Sequence, residues 1–423
     1  MRDRALSQSW LAALAARRRF GMKPGLETIS TLCRLLGDPQ KSFPAIHVAG
    51  TNGKGAVAAI LDAALRGAGR RDIGRYTSPH LVSLNERFFI DGAPADDATL
   101  ERLAQRVGDA AKKLPRDCEL TFFEALTAVA FLLYAERRSE AAILECGLGG
   151  RLDATNVCAP RLCVITKIGL DHCDWLGDTV EKIAAEKSGI IKRGVPVVLG
   201  KNEPRIVDVI RRAAEEKGAT FVYAPNVARE AEIPASFSLA GAFNRENAVT
   251  AIAALKTLGV AIDEKSFGNV VWPGRFQRIR NFIVDGAHNP PAARALASSL
   301  RELAGDAAEQ GFALVFGACA DKDVGEVLRT LAPFVKKAFA VKTNNPRSLE
   351  ADALAAKMRE AGIAEATPCS SLKEALGKAD DGTRASKTPC VLVCGSLFLA
   401  GEALVELGAA PWQASRFDPS ERL

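Results

Sequence analysis

The sequence contains no apolar run approaching the roughly 20 residues that a membrane-crossing helix needs. Its first residues also lack the charged-then-apolar pattern of a secretory signal. A soluble cytoplasmic protein is therefore expected. The ten cysteines show no zinc-type pairing: Cys390 and Cys394 fall within one apolar strand pattern, and Cys158, Cys163 and Cys173 have no C-x-x-C partner. Free, mostly buried thiols are expected in place of a structural metal or a disulfide framework. A dominant charge is missing too. The 56 basic and 50 acidic residues leave a net charge of +6, far from the one-sided patch that nucleic-acid binding favours, and this balance suits small anionic substrates. Arg17, Arg18 and Arg19 close an Ala-rich helical stretch and read as a solvated helix end. No internal repeat or low-complexity tract is present.

What is present is 48% hydrophobic residues in 423, enough for two compact domains. Apolar runs bounded by glycine alternate with helical periodicity: FPAIHVAG then GAVAAILDAALRGAG, AAILECG, RLCVITKI, TVEKIAAEKSGIIKRG and VPVVLG. Short buried strands alternating with helices predict an α/β, doubly wound, mostly parallel sheet with a phosphate-binding loop, over residues 1–275. A helical stretch from Asn244 to Leu258 leads into WPGRFQRIRN, which reads as a linker. NFIVDGAHN, FALVFGA, KAFAVKT and PCVLVCGS then restart the pattern and predict a smaller, Rossmann-like α/β domain over 281–423.

Residues 46–56, IHVAGTNGKGA, place Gly50, Thr51, Asn52, Gly53, Lys54 and Gly55 between a strand and a helix N-terminus. Free N–H groups and the helix dipole there favour a triphosphate. The common loop G-x-x-x-x-G-K-[ST] supplies a Mg²⁺-binding hydroxyl after its lysine. Here Val48 stands at the first glycine position and Gly55 follows Lys54, so any metal needs ligands elsewhere. Glu145 ends an apolar strand just before glycines 147, 149 and 150. A buried carboxylate needs a cation, either Mg²⁺, which is favoured, or a basic residue such as Arg151. Of the four histidines, His80, His172 and His288 lie in loops after strand patterns, where ligands bind in open α/β sheets, while His47 lies inside a strand as a core or supporting group. Lys187, by spacing alone, is a charged residue on an amphipathic helix.

HVAGTNGKG, YTSPHL with NERF, LTFFEAL, LECGLGGRLDATN, LDHCDWLG, EKSGIIK, WPGRFQ, DGAHNP and GSLFLAGE occur in that order. Together they resemble the folylpolyglutamate synthase/dihydrofolate synthase family of the Mur ligase superfamily, over nearly the whole chain. The resemblance implies an ATP-dependent amide ligase. A pteridine-bearing carboxylate attacks the γ-phosphate, and the amine of L-glutamate attacks the resulting acyl phosphate. It also implies Ser78 and Glu145 as ligands of a first Mg²⁺. His172 holds a second, with Lys187 carried as a carbamate formed with CO₂. Asn247 is implied on the adenine side, Asp285 and His288 as ribose and phosphate contacts, and Arg275 as a linker arginine reaching the phosphates. ATP then lies between the domains, and their closure excludes water.

Thr121, Phe123, Asp153 and Ala154 match pterin-contacting positions, so either dihydropteroate or a reduced folate is the implied acceptor, with both uses favoured by the intact LDATN and TFFE. The family commonly carries Ser or Thr where this chain has Ala56, a departure that removes a hydroxyl near the phosphates. A monomer acting on small molecules is expected, with no nucleic acid and no membrane. Two rival readings are a Mur-type peptidoglycan ligase, against which the short region before the loop argues, and a nucleotide-dependent switch, which glutamate-dependent ADP release distinguishes.

Overall fold

The computed structural model describes residues 25–304, 311–381, 391–410 and 412; Arg17, Arg18, Arg19 and Cys390 lie outside them. Two compact units emerge, one of residues 25–238 and 246–270, the other of 239–245 and residues from 271 onward. All nine described cysteines are free, and seven of them are buried. No helix among the described residues is long and apolar enough to cross a membrane.

Among the described residues the first unit carries eight strands: β1 (Ala45–Ala49), β2 (Gly74–Tyr76), β3 (Phe88–Ile90), β4 (Ala93–Pro94), β5 (Ala142–Glu145), β6 (Pro160–Ile165), β7 (Val197–Leu199) and β8 (Phe221–Tyr223). Their order is β4-β3-β2-β5-β1-β6-β7-β8. The six strands from β2 to β8 pair in parallel, and β3 and β4 form an antiparallel edge. Every residue of β1 is buried, as a central strand covered on both faces requires.

On one face Leu32 of α1 (Glu27–Leu35), Leu103 of α3 (Asp97–Ala111) and Phe131 of α4 (Phe122–Arg137) pack with Leu144. On the other, Ile183 of α5 (Val180–Ser188) and Ile210 of α6 (Pro204–Glu216) pack with Ile165 and Val197. Helix α2 (Lys54–Gly67) follows β1 directly and is tied to β2 by a buried ion pair, Asp62 Oδ2 to Arg75 Nε at 3.5 Å. The Arg75 guanidinium also lies over the Phe89 ring, 3.9 Å from its centroid.

Strand β1 sits between β5 and β6, with β2 beyond β5. The chain leaves β1 toward one side of the sheet and later fills the other. Such a reversal of direction opens a crevice at the carboxyl ends of the central strands, where α/β proteins bind ligands.

The second unit has β9 (Gln277–Ile279), β10 (Phe282–Val284), β11 (Phe312–Phe316), β12 (Val335–Ala340), β13 (Ala366–Pro368) and β14 (Val391–Cys394), in the order β13-β12-β11-β14-β10-β9. Only β9 with β10 is antiparallel. Leu296, Leu314, Leu328 and Met358 lie in its core. The helix expected from Asn244 to Leu258 runs Ala242–Thr257. One expectation is corrected here: part of WPGRFQRIRN is not linker, because a turn at Arg280 lets Gln277–Ile279 pair back on Phe282–Val284.

Candidate active site

The loop after β1 is held from the neighbouring strand. Thr51 and Asn52 donate their backbone N–H groups to the Lys167 carbonyl at 2.8 and 3.2 Å, and Thr166 Oγ1 donates to the Asn52 carbonyl at 2.7 Å. Gly53 caps α2 in the left-handed region at φ 90°, and a Cβ there would lie 2.2 Å from Asn247 Oδ1. Both the conformation and the close approach therefore require glycine. Gly50, Thr51, Asn52, Gly53, Lys54 and Gly55 thus form one continuous turn into the helix, whose first N–H groups have no partner within the helix itself.

Lys54 Nζ donates to the Gly50 and Thr51 carbonyls at 3.1 and 3.2 Å and lies 3.9 Å from Glu145 Oε1. Glu145, the last residue of β5, has a nearly buried side chain and accepts from the Ser78 backbone N–H at 3.1 Å. The carboxyl ends of β1, β2 and β5 therefore bring Lys54, Ser78 and Glu145 together. Arg151, the alternative partner for Glu145, instead pairs with Glu186 at 3.3 Å.

The loop carrying Ser78 is fastened by residues to which sequence reading assigned no role. Glu86 accepts the backbone N–H groups of Leu81, Val82 and Ser83 at 2.8 to 3.0 Å. Arg87 Nε donates to His80 Nδ1 at 3.0 Å, so His80 is a buried tether and not an open loop group. Burial pulls the Arg87 pKa down, opposed by Tyr76 and Glu145. The motif NERF, which follows YTSPHL, was the available signal for both.

Lys187 departs most from its spacing-based reading. It is 4% exposed at the end of α5, and burial first, with the charge of Lys54 second, pushes its pKa down to about 7. The segment after the GLGG loop is tied to the same helix end: Arg151 N–H donates to the Glu186 carbonyl at 2.9 Å. His172 lies in the left-handed region, with a side chain 42% exposed and Nε2 3.9 Å from Asp171 Oδ1. Among the described residues no three His, Cys, Asp or Glu side chains converge on a metal position. The expected set contains only two residues of those types, Glu145 and His172, beside Ser78 and Lys187.

On the pterin side, Thr121 caps α4 and forms a capping box with Glu124. Thr121→Ala is expected to lower stability by about 1 kcal/mol, read as a lowered urea midpoint at unchanged slope. The Phe123 ring presses on Gly147, where a Cβ would meet it at 2.6 Å, and it also packs on Tyr76 with ring centroids 6.0 Å apart. Asp153 is buried and accepts from Leu148 N–H at 2.8 Å and Thr155 N–H at 3.0 Å. Ala154 beside it is buried. His47 is fully buried, as a strand position predicted.

In the second unit, Asp285 accepts from the Phe276 and Ala287 N–H groups, each at 2.7 Å, and burial raises its pKa against the opposing charge of Arg275. Arg275 donates to the Gly274 carbonyl at 2.9 Å. His288 Nδ1 lies 2.8 Å from the Gly286 carbonyl; a carbonyl only accepts, so Nδ1 carries the proton.

The Mur ligase middle domain matches residues 48–255, and the Mur ligase glutamate ligase domain matches 274–397. The chain is 36% identical over 358 residues to the dihydrofolate synthase/folylpolyglutamate synthase of Bacillus subtilis, covering 77% of this chain and 82% of that one. It belongs to the folylpolyglutamate synthase/dihydrofolate synthase family of Mur ligases. Escherichia coli FolC in complex with DHPP and ADP superposes with a TM-score of 0.81 at 30% identity, covering 95% of this chain and 97% of that chain. The bifunctional synthase of Yersinia pestis complexed with AMPPNP and Mn ion gives 0.81 at 30% identity, with 94% and 97% covered. This synthase-family chain is thus an ATP-dependent ligase of the ADP-forming class, as the ordered motifs implied. Its membership sets aside the peptidoglycan ligase and the switch.

Proposed function

We propose that this chain joins L-glutamate to dihydropteroate and to reduced folates through an acyl phosphate formed from ATP. The observation that carries the reading is the convergence of Lys54, Ser78 and Glu145 at the carboxyl ends of three adjacent strands, beside a glycine turn opening a helix. Phosphoryl transfer needs positioning and charge neutralisation more than covalent help from the protein. The N–H groups at the start of α2, beyond the two that Thr51 and Asn52 give to Lys167, hold the phosphates. Lys54 exchanges the Gly50 and Thr51 carbonyls for phosphate oxygens.

The residues fit a hard divalent cation, because Glu145 and Ser78 offer oxygen donors and Glu145 is a nearly buried anion. Mg²⁺ held by Ser78 and Glu145, with a second ion held by His172 and a carbamylated Lys187, would neutralise the triphosphate charge. Asn247 serves the adenine side, Asp285 and His288 the ribose and phosphates, and Arg275 the phosphates. Phe123 offers a flat face to the pteridine, with Thr121, Asp153 and Ala154 around it. The catalytic work divides between a nucleotide and pteridine domain over 1–275 and a glutamate ligase domain over 281–423. The chain works as a monomer in the cytoplasm, a setting in keeping with nine free described cysteines.

The test is an assay with ATP, Mg²⁺ and L-glutamate against dihydropteroate and tetrahydrofolate separately, products resolved by glutamate number. Glutamate-dependent ADP release is expected with both acceptors. Release with neither would overturn the reading, and release with one alone would remove the dual use.

A further inference from the structure

His47 and Thr155, two members of a buried polar chain behind the glycine turn, have no part in the chemistry described so far. His47 Nε2 lies 2.8 Å from Thr155 Oγ1 and 3.1 Å from Cys146 Sγ, while Thr155 Oγ1 donates to Asp153 Oδ1. A carboxylate is the strongest acceptor Thr155 can reach, so the hydroxyl proton goes to Asp153 and its lone pair accepts from His47. His47 is therefore the Nε2–H tautomer. Its Nδ1 is buried and has no partner among the described residues, so the imidazole has a single donor and aims it at Thr155. Thr155 and His47 are both fully buried.

We propose that His47 and Thr155 are positioning residues that fix the Asp153 carboxylate and thereby set the affinity of the enzyme for its pteridine substrate. The inference rests on the assignment of Asp153 to the pteridine. The chain runs from β1, three residues before the glycine turn, to the segment just after the GLGG loop. With Leu148 N–H holding Oδ2, Thr155 supplies both donors to Oδ1, its N–H and its hydroxyl. Removing the hydroxyl leaves Oδ1 with the backbone donor alone and leaves the His47 N–H facing no acceptor oxygen. Two consequences follow: the carboxylate rotates more freely, and a buried donor is left with only the weak acceptor Cys146 Sγ.

The experiment compares Thr155→Val, Thr155→Ser, His47→Leu and Asp153→Ala in the full chain by steady-state kinetics, with melting temperatures recorded for each. Thr155→Val is expected to raise KM for the pteridine about tenfold, with kcat and KM for ATP within about twofold. Thr155→Ser keeps wild-type constants because the donor returns. His47→Leu approaches the chain from its other end and moves the pteridine KM in the same direction, which keeps the test decisive should Thr155→Val fold poorly. If Asp153→Ala raises the pteridine KM while Thr155→Val and His47→Leu do not, or if these two raise both KM values alike, the positioning role is overturned. If Asp153→Ala leaves the pteridine KM unchanged, the assignment of Asp153 is at fault and the inference falls with it.

Discussion

Lys54→Ala is expected to lower kcat/KM of the complete ligase reaction on the order of 10³-fold, or about 4 kcal/mol of transition-state stabilisation. The lysine is the first residue of α2 and stands 3.9 Å from Glu145 Oε1. In the proposed reaction it is the cation that follows charge moving onto the leaving phosphate. Its two hydrogen bonds to Gly50 and Thr51 are made to the loop's own carbonyls. Replacing it removes two hydrogen bonds to the loop's own backbone and the charge that faces Glu145, so the melting temperature is recorded beside the kinetics. Single-turnover measurement of acyl phosphate formation, trapped chemically, separates this from a glutamate-binding defect. A variant with near-normal phosphoryl transfer and lost amide formation would contradict the assignment.

Lys187 gives the second large effect, and one whose sign differs between activity and stability. Its ordinary pKa of 10.5 is brought down to about 7, chiefly by burial. From about 7 to 10.5 the unfolded chain then carries a proton there that the folded chain does not, so stability rises with pH across that window. Below about 7 both states are protonated and the full penalty of burying the charge remains. Lys187→Met deletes that penalty. It should melt higher than the wild type near pH 6, with the gap closing by about pH 10. Activity should fall by about 10²-fold or more.

The same depressed pKa keeps a neutral amine available near neutrality. In the proposed carbamate that amine would attack the carbon of CO₂, form an N–C bond and release a proton, leaving an anionic oxygen ligand. Removing CO₂ and bicarbonate should lower wild-type activity and leave the variant unchanged, and acetate should restore part of the activity of Lys187→Ala. Variants with unimpaired activity would refute the carbamate.

How much of this was legible in advance depended on whether a residue's environment is local. The parallel strands were, because strands buried on both faces read as continuous apolar runs, and AIHVA, AILE and FALVF form strands where that pattern put them. The glycine turn was legible as well: its shape depends on φ at Gly53 and on the helix that begins at Lys54, both set within a few residues. The short antiparallel edges were not. Gln277–Ile279 is polar and looks like linker until a turn lays it against Phe282–Val284.

Composition, strand and helix order, the phosphate turn and the ordered motifs were determined by the sequence alone, since each is a property of contiguous residues. Whether a charge is buried was decided only by the tertiary structure. Lys187 on its helix looks solvated, yet it is buried and its pKa is pulled down, at a point where Gly150 and Arg151, some 35 residues earlier in the chain, lie against the backbone of Glu186 and Lys187. His80 looks like an open loop group, and is buried because Arg87 reaches back to it. Desolvation is summed over everything that surrounds a group, and no spacing along the chain encodes that sum.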